Sequence, residues 1–419
     1  MNIWKISIRN IKFKPLYSFL SIFILSLSII LLLGIHQLKK SFETQIENNL
    51  GQIDLVIGAK GSPLQLILAS ALHIDTPTGN INYDDAKKIS KNPMIKLAVP
   101  ISYGDNYKGF RIVGTTNQYT SLYNAELENG HRVKKSMEII LGNTVAKKLN
   151  LKIGDSILSS HGLIENNIEV HSDQLKVVGI LKPTQKVIDR LIITNLESIW
   201  ETHDHDNKIN TEENDKKHEH HEKHEEHEEH EEHEEHEDKE ITSLLVTFKN
   251  PRGFLTIPRK INKYTNMQAA LPKYELGKLY KYTNIGLQTI SWIAYLILLI
   301  SCLTIFISTY KMVKERAFDL AILRTYGASN FQLIKMVFYE GGMIVFFAFL
   351  LGLLLTKITL ETIVSLIQIS NQQIILQELI FTDLLQIASF VFSMVFISIL
   401  LAIYPIINMN ISTILSNEK

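Results

Sequence analysis

The sequence predicts an integral membrane protein, with four transmembrane α-helices and one large extracytoplasmic α/β domain. Three observations predict this. Leu16 to Ile35, Ile285 to Tyr310, Met336 to Thr356 and Leu384 to Ile407 are long apolar runs, the third interrupted only by Glu340. A helix needs about 20 such residues to cross a hydrocarbon core ~30 Å thick. Residues 36–284 are far too many for a loop, so they must fold as a domain. Basic residues crowd two of the short segments beside the runs and avoid a third, which orients the chain across the membrane.

Residues 1–15 mix Ile3, Trp4, Ile8 and Ile11 with Lys5, Arg9, Lys12 and Lys14, as a helix on a membrane surface would. The first span, 16–35, exceeds the 7–15 apolar residues usual in a signal peptide, and no small-x-small cleavage pattern follows it. It reads as an uncleaved anchor. The remaining spans are 285–310, 336–356 and 384–407. The N-terminal lead holds four basic residues and the 311–335 connector five, whereas the 357–383 loop has Lys357 alone beside Glu361, Glu378 and Asp383. Both termini, including the 408–419 tail, and the connector are therefore expected inside, with 36–284 and the 357–383 loop outside.

The outer region opens on Leu38, Phe42, Ile46 and Leu50, spaced four apart among charges, an amphipathic helix continuing the first span. Leu271, Tyr274, Leu279 and Tyr282 form a matching stalk into the second. Between the stalks, Asp54 to Ile57, Ile112 to Gly114, Leu175 to Leu181, Leu191 to Thr194 and Ser243 to Phe248 read as strands. Pro63 to Ile74 is apolar but too short to span, and reads as a buried helix. EIILGNTVAKKLNLKIGDSI, ending at Ile157, reads strand, helix, turn, strand. Gly58 to Ser62 lacks the spacing of a phosphate-binding loop and reads as a turn. Neither GxxxxGK[ST] nor a Ser-His-Asp or Cys-His set is evident, so no intrinsic catalysis is expected. His73, His131, His161 and His171 have no ligand spacing and are treated as structural. The one cysteine, Cys302, excludes an intrachain disulfide.

The net charge of zero hides an asymmetry: residues 201–240 carry 19 Asp and Glu against five Lys. The compensating basic residues are spread too thinly for nucleic acid. This insertion also holds ten of the fifteen histidines: His203, His205, His218, His220, His221, His224, His227, His230, His233 and His236. From His224 the repeat is His-Glu-Glu; steps of three would wind the imidazoles around a helix instead of aligning them on one face. Imidazole with carboxylate suits Zn²⁺ or another divalent transition metal. A solvated acidic linker and a pH-sensitive tract are the alternatives.

In the connector, KMVKERAFDLAILRTYGASNFQLIK, the residues Phe318, Leu320, Ile322 and Leu323 make an apolar stripe at helical spacing, punctuated by Gly327, Ser329 and Asn330. Glu340 lies near the inner end of the third span, where an ionisable group is costly. It either snorkels or caps the helix start, or takes a direct role. Gly341, Gly342 and Gly352 offer that span close helix packing.

The lead IWKISIRNIKFKPLYSFLSIFILSLSI, the outer segments LGNTVAKKLNLKIGDSI and LKVVGILKPTQKVIDRLIITNLESIW, and above all KERAFDLAILRTYGASNFQLIKMVFYEGG resemble the MacB/FtsX/LolE-type ABC transporter permeases. The resemblance covers nearly the whole chain. It implies a MacB-type periplasmic core domain at 36–284, an FtsX-like permease domain at about 285–411 and residence in a bacterial inner membrane. It also implies a separate ATP-binding subunit, which alone binds ATP, and a second permease copy, homodimeric or heterodimeric. Glu315, Arg316, Asp319, Leu323, Arg324, Gly327 and Ala328 then form the surface coupled to that ATPase. The expected activity is transmission of ATP-driven movement to the outer domain, in export, lipoprotein extraction or zinc homeostasis, with a periplasmic or lipoprotein partner. The histidine insertion departs from the family pattern. A membrane-anchored metal sensor signalling inward without transport is the competing reading.

Overall fold

The computed structural model describes residues 15–160, 170–202, 239–368 and 381–407. The chain divides into two compact units, Gln45–Tyr280 on one side and Met1–Thr44 with Lys281–Lys419 on the other.

The 45–280 unit is built on a mixed sheet of β1 (Leu55–Ala59), β3 (Ile95–Tyr107), β4 (Phe110–Thr115), β5 (Leu127–Gly130), β6 (Glu138–Leu141), β7 (Ser156–Ser160), β8 (Val170–Leu181), β9 (Ile192–Asn195), β11 (Ser243–Phe248) and β12 (Met267–Ala270). Its order is β12-β1-β11-β3-β4-β9-β6-β8-β5, with β7 against β3 and β8. A separate ribbon pairs β2 (Ile81–Asn82) with β10 (Glu240–Ile241). Only β4 with β9 and β6 with β8 run parallel among the described pairs. Every residue of β11, SLLVTF, is buried, as a strand covered on both faces must be. The segments read as strands from sequence all fall in this sheet. Helix Pro63–Ser70 starts where Ser62 Oγ accepts the Gln65 N–H at 3.4 Å, a side-chain N-cap; the Gly58 to Ser62 stretch is thus the end of β1 and a turn.

Both faces of the sheet carry apolar cores. One gathers Val99, Val113, Tyr119, Ile140, Ile193 and Leu245; a second gathers Leu55, Ile57, Leu244, Val246 and Ile257. Asp189, 3% exposed, organises the 184–189 turn by accepting the N–H groups of Thr184 and Gln185 and the Thr184 hydroxyl. That turn lies so close to Gly142 that a Cβ there would sit 2.4 Å from Asp189 O.

Among the described residues, four helices are long and apolar enough to cross a membrane: Ser18–Leu50, Pro272–Glu315, Asn330–Leu366 and Phe381–Tyr404. These helices run past the apolar stretches in the sequence, so that Glu315 ends the second and Asn330 begins the third. Leu25, Ile29, Leu33, Leu298, Cys302, Val391, Val395 and Ile399 form their shared core. A Cβ on Gly352 would come within 2.7 Å of Ile29 Cγ2 in the first helix, and one on Gly341 within 2.3 Å of Ile399 Cδ1 in the fourth. Gly342 meets nothing within 4 Å. Two of the three glycines therefore mark close helix approaches. At one end of the bundle Lys40 Nζ donates to Asp383 Oδ2 at 2.6 Å, with His36 Nε2 at 3.3 Å from the same oxygen.

Candidate functional site

The connector between the second and third spanning helices is folded. The second helix ends at Glu315, a break at Arg316 follows (φ −101°, ψ 11°), and a short helix covers Ala317–Thr325. The Tyr326–Ser329 turn then reverses the chain, with Gly327 at φ +92°, a conformation that favours glycine. Ser329 opens the third helix: its Oγ accepts the Gln332 N–H at 3.3 Å, while Gln332 Oε1 accepts the Ser329 N–H at 3.1 Å, a reciprocal cap.

The short helix is amphipathic, and its apolar face is in use. Leu320 and Ala321 are buried, and Leu323 and Ala328 pack against the bundle core. Beside them, Arg316 Nη1 lies 3.6 Å from Glu340 Oε1, and the Glu340 side chain is 3% exposed. A carboxylate this deep requires a cation or a proton, and Arg316 supplies the cation. Glu340 therefore neither snorkels nor caps; it is the inner half of an ion pair joining the connector to the third helix.

The residues singled out from sequence thus separate into two groups. Arg316, Leu323 and Ala328 face inward and hold the connector. Glu315, 3.9 Å from Lys311 at Oε1, and Gly327 are exposed, and Arg324 is half-buried. Asp319 lies on the short helix. Sequence reading missed two residues: Tyr326 is 86% and Phe331 71% exposed, flanking the Gly327 turn. Aromatic residues in the polar stretch YGASNF were the available signal. Exposed aromatic side chains are enriched at protein contact surfaces.

The ten insertion histidines, His203 to His236, lie outside the described residues, as do the 1–14 lead and the 408–419 tail. Among the described residues no group of three or more His, Cys, Asp or Glu side chains is placed to hold a metal. The structure does describe both flanks of the insertion. Residues 196–202 are helical. Trp200 Nε1 donates to Glu240 O at 2.7 Å, and the Lys239 ammonium stands 4.8 Å over the Trp200 ring.

Inside the 45–280 unit, His73 is 7% exposed at φ +56°. Its Nδ1 and Nε2 each lie 2.9 Å from a phenol oxygen, of Tyr103 and Tyr119 respectively. Tyr103 donates to Ala69 O, so its oxygen accepts from Nδ1–H, and Tyr119 donates to Nε2. Burial, helped by Arg111 and Arg190, lowers the imidazole pKa to about 3. Burial likewise raises the Tyr103 and Tyr119 phenols. All three groups are neutral at ordinary pH and form one buried hydrogen-bonded network.

Two family models match the sequence. The MacB-like periplasmic core domain matches residues 18–216, and the FtsX-like permease C-terminal domain matches residues 291–411. No curated protein matches. Among solved structures, the periplasmic region of MacB from Actinobacillus actinomycetemcomitans is similar at 10% identity and a TM-score of 0.33, covering 55% of this chain and 94% of that one. The extracellular domain of the noncanonic ABC-type transporter YknZ from Gram-positive bacteria is similar at 11% identity and a TM-score of 0.28, covering 52% of this chain and 98% of that one.

Proposed function

The chain belongs to the MacB/FtsX-type ABC transporter permeases, and from that premise we propose that it converts ATP hydrolysis by a separate subunit into movement of its 45–280 unit. The connector geometry carries the reading. Its aromatic turn is exposed while its helix is seated on the bundle, so a partner pressing on Tyr326 and Phe331 would load the helix bundle through Leu320, Leu323 and the Arg316–Glu340 pair. Helices Pro15–Leu50 and Pro272–Glu315 are unbroken along their length, and helices transmit displacement that a flexible linker absorbs. The ATPase, and a second permease copy related by symmetry, are the partners this reading requires. The membrane is a bacterial inner membrane, with both termini and the connector on the ATPase side.

Among the described residues, the polar side chains buried in the bundle are Glu340 and small hydroxyls, several of which, such as those of Ser26, Ser301, Thr356 and Ser398, donate to helix carbonyls; this argues against a path for cargo through one copy. The work is therefore done on something already outside, by extrusion or remodelling. The histidine insertion points to metal homeostasis, zinc first, as its context, with Zn²⁺ held by imidazoles drawn from His203 to His236. The test is ATPase stimulation in proteoliposomes containing the chain and its ATP-binding subunit. Replacing Tyr326 and Phe331 by Ala should abolish most of the stimulation while leaving membrane insertion intact. Undiminished stimulation in that double variant would remove the connector from the mechanism.

A further inference from the structure

A cleft of about 460 Å³ opens in the 45–280 unit, at the carboxyl ends of the parallel pair β4 and β9. That size lies within the roughly 300–1,000 Å³ typical of small-molecule sites. Its floor is a patch of four consecutive strands: Ile193 of β9, Ile140 of β6, Leu181 of β8 and Leu127 of β5. Register places these side by side, since Ile140 pairs with Ile193 and Leu127 with Leu181. Crevices at the carboxyl ends of parallel strands are where open α/β sheets bind ligands.

The rim carries charge of both signs. The segment joining β5 to β6 contributes Arg132 and Lys134, both exposed, and neither side chain meets a carboxylate among the described residues. The helix after β9, residues 196–202, contributes Glu197, exposed and likewise without an ion-pair partner among the described residues. A second rim acid, Glu126, is already held by Lys182 at 2.7 Å. The turn after β4 contributes Thr116, whose Oγ1 is hidden from solvent without a hydrogen-bond partner among the described residues. A hidden hydroxyl of this kind ordinarily has a partner. Asn117 Nδ2 reaches Val133 O at 3.4 Å, so the Thr116 turn and the Arg132–Lys134 segment are tied together.

We propose that this cleft binds a small zwitterion with an apolar side group, the chemistry shared by a free apolar α-amino acid and its dipeptide. Arg132 and Lys134 take the carboxylate and Glu197 the ammonium. Thr116 Oγ1 gains its missing hydrogen bond, and the apolar group lies on the Leu127–Ile140–Leu181–Ile193 floor. A purely anionic amphiphile fits less well, because Glu197 would repel it. The site is independent of the coupling mechanism proposed above: it lies wholly in the 45–280 unit, and its occupancy is measured without any ATPase.

Calorimetric titration of the full chain in nanodiscs with leucine and with leucyl-leucine tests the inference and separates its two sources. At least one should bind saturably. Removing either charge, as in leucinamide or N-acetyl-leucine for the amino acid and the corresponding amide or N-acetyl form for the dipeptide, should weaken binding by roughly tenfold or more, the scale of a lost charge-assisted hydrogen bond. The double variant Arg132→Gln/Lys134→Gln should bind the zwitterion no better than the amide form. Glu197→Gln should likewise equalise the zwitterion and the N-acetyl form. These three side chains are exposed, so their replacement leaves the fold intact. No saturable binding of either compound, equal binding of the charged and blocked forms, or unchanged affinity in both variants would each overturn the assignment.

Discussion

Glu340 shows what a single residue contributes in a helix long enough to span a membrane. Buried to 2% exposure and 3.6 Å from Arg316, it ties the start of the connector to the third helix. Losing one partner of a buried ion pair costs more than losing both, because a charge stays behind in an apolar setting. Arg316→Ala should therefore destabilise the bundle by roughly 3 kcal/mol. Adding Glu340→Gln should recover part of that loss in a double-mutant cycle of unfolding in mixed micelles. Strictly additive losses would show that the two side chains do not interact. His73 supplies a second prediction, this one of pH dependence. Its pKa is about 3 when folded, against an ordinary 6.5. Between those values the unfolded chain binds a proton that the folded chain does not, so stability rises with pH across that window. The contribution is complete above pH about 6.5 and is lost toward pH 3, by up to about 1.4 kcal/mol per pH unit. Urea unfolding followed by Trp fluorescence should show the stability advantage of wild type over His73→Gln shrinking as pH falls below about 6.5. A constant difference would remove His73 as the source.

At the scale of elements, the third spanning helix is positioned by what it lacks. Gly352 faces Ile29 and Gly341 faces Ile399, and neither approach leaves room for a methyl group without displacement. Ile399 presents the end of a flexible side chain at Cδ1, which can swing aside. Ile29 presents the branched Cγ2 and Cβ, which are stiffer. Gly352→Ala should therefore lower the unfolding free energy in detergent by about 1–3 kcal/mol, and Gly342→Ala, where space is open, should change it little. If the two variants unfold alike, the packing account of Gly352 fails. The same distinction between inward and outward faces organises the connector. Leu320 and Ala321 seat it, while Tyr326 and Phe331 are exposed.

For the whole molecule, the histidine insertion joins a domain whose fold is completed on either side of it. Trp200, Lys239 and Glu240 meet at its two flanks, and β11 takes a central place in the sheet immediately afterwards. Replacing 203–238 by a short Gly-Ser linker should leave the thermal unfolding of the full chain nearly unchanged, because closing a shorter loop alters chain entropy by only about 1 kcal/mol. The same variant should lose most Zn²⁺ binding in calorimetry. Retained binding would assign the metal elsewhere, and a collapse of stability would make the insertion part of the fold.

The sequence by itself determined the spanning helices, the α/β character of the outer unit and the existence of a charged amphipathic connector. Each is encoded in local periodicity, in apolar runs whose length matches a bilayer, or in strands bounded by turn residues. It also marked Glu340 and the third-helix glycines as unusual without saying what they met. Only the tertiary structure decided that Arg316 faces inward to Glu340, that Gly342 differs from Gly341 and Gly352, and that His73 sits between two phenols. The same holds for the cleft, whose floor comes from four strands and whose rim comes from three separate segments of the chain. These are pairings between residues distant in the chain, and no local pattern records which side chains long-range packing will bring together.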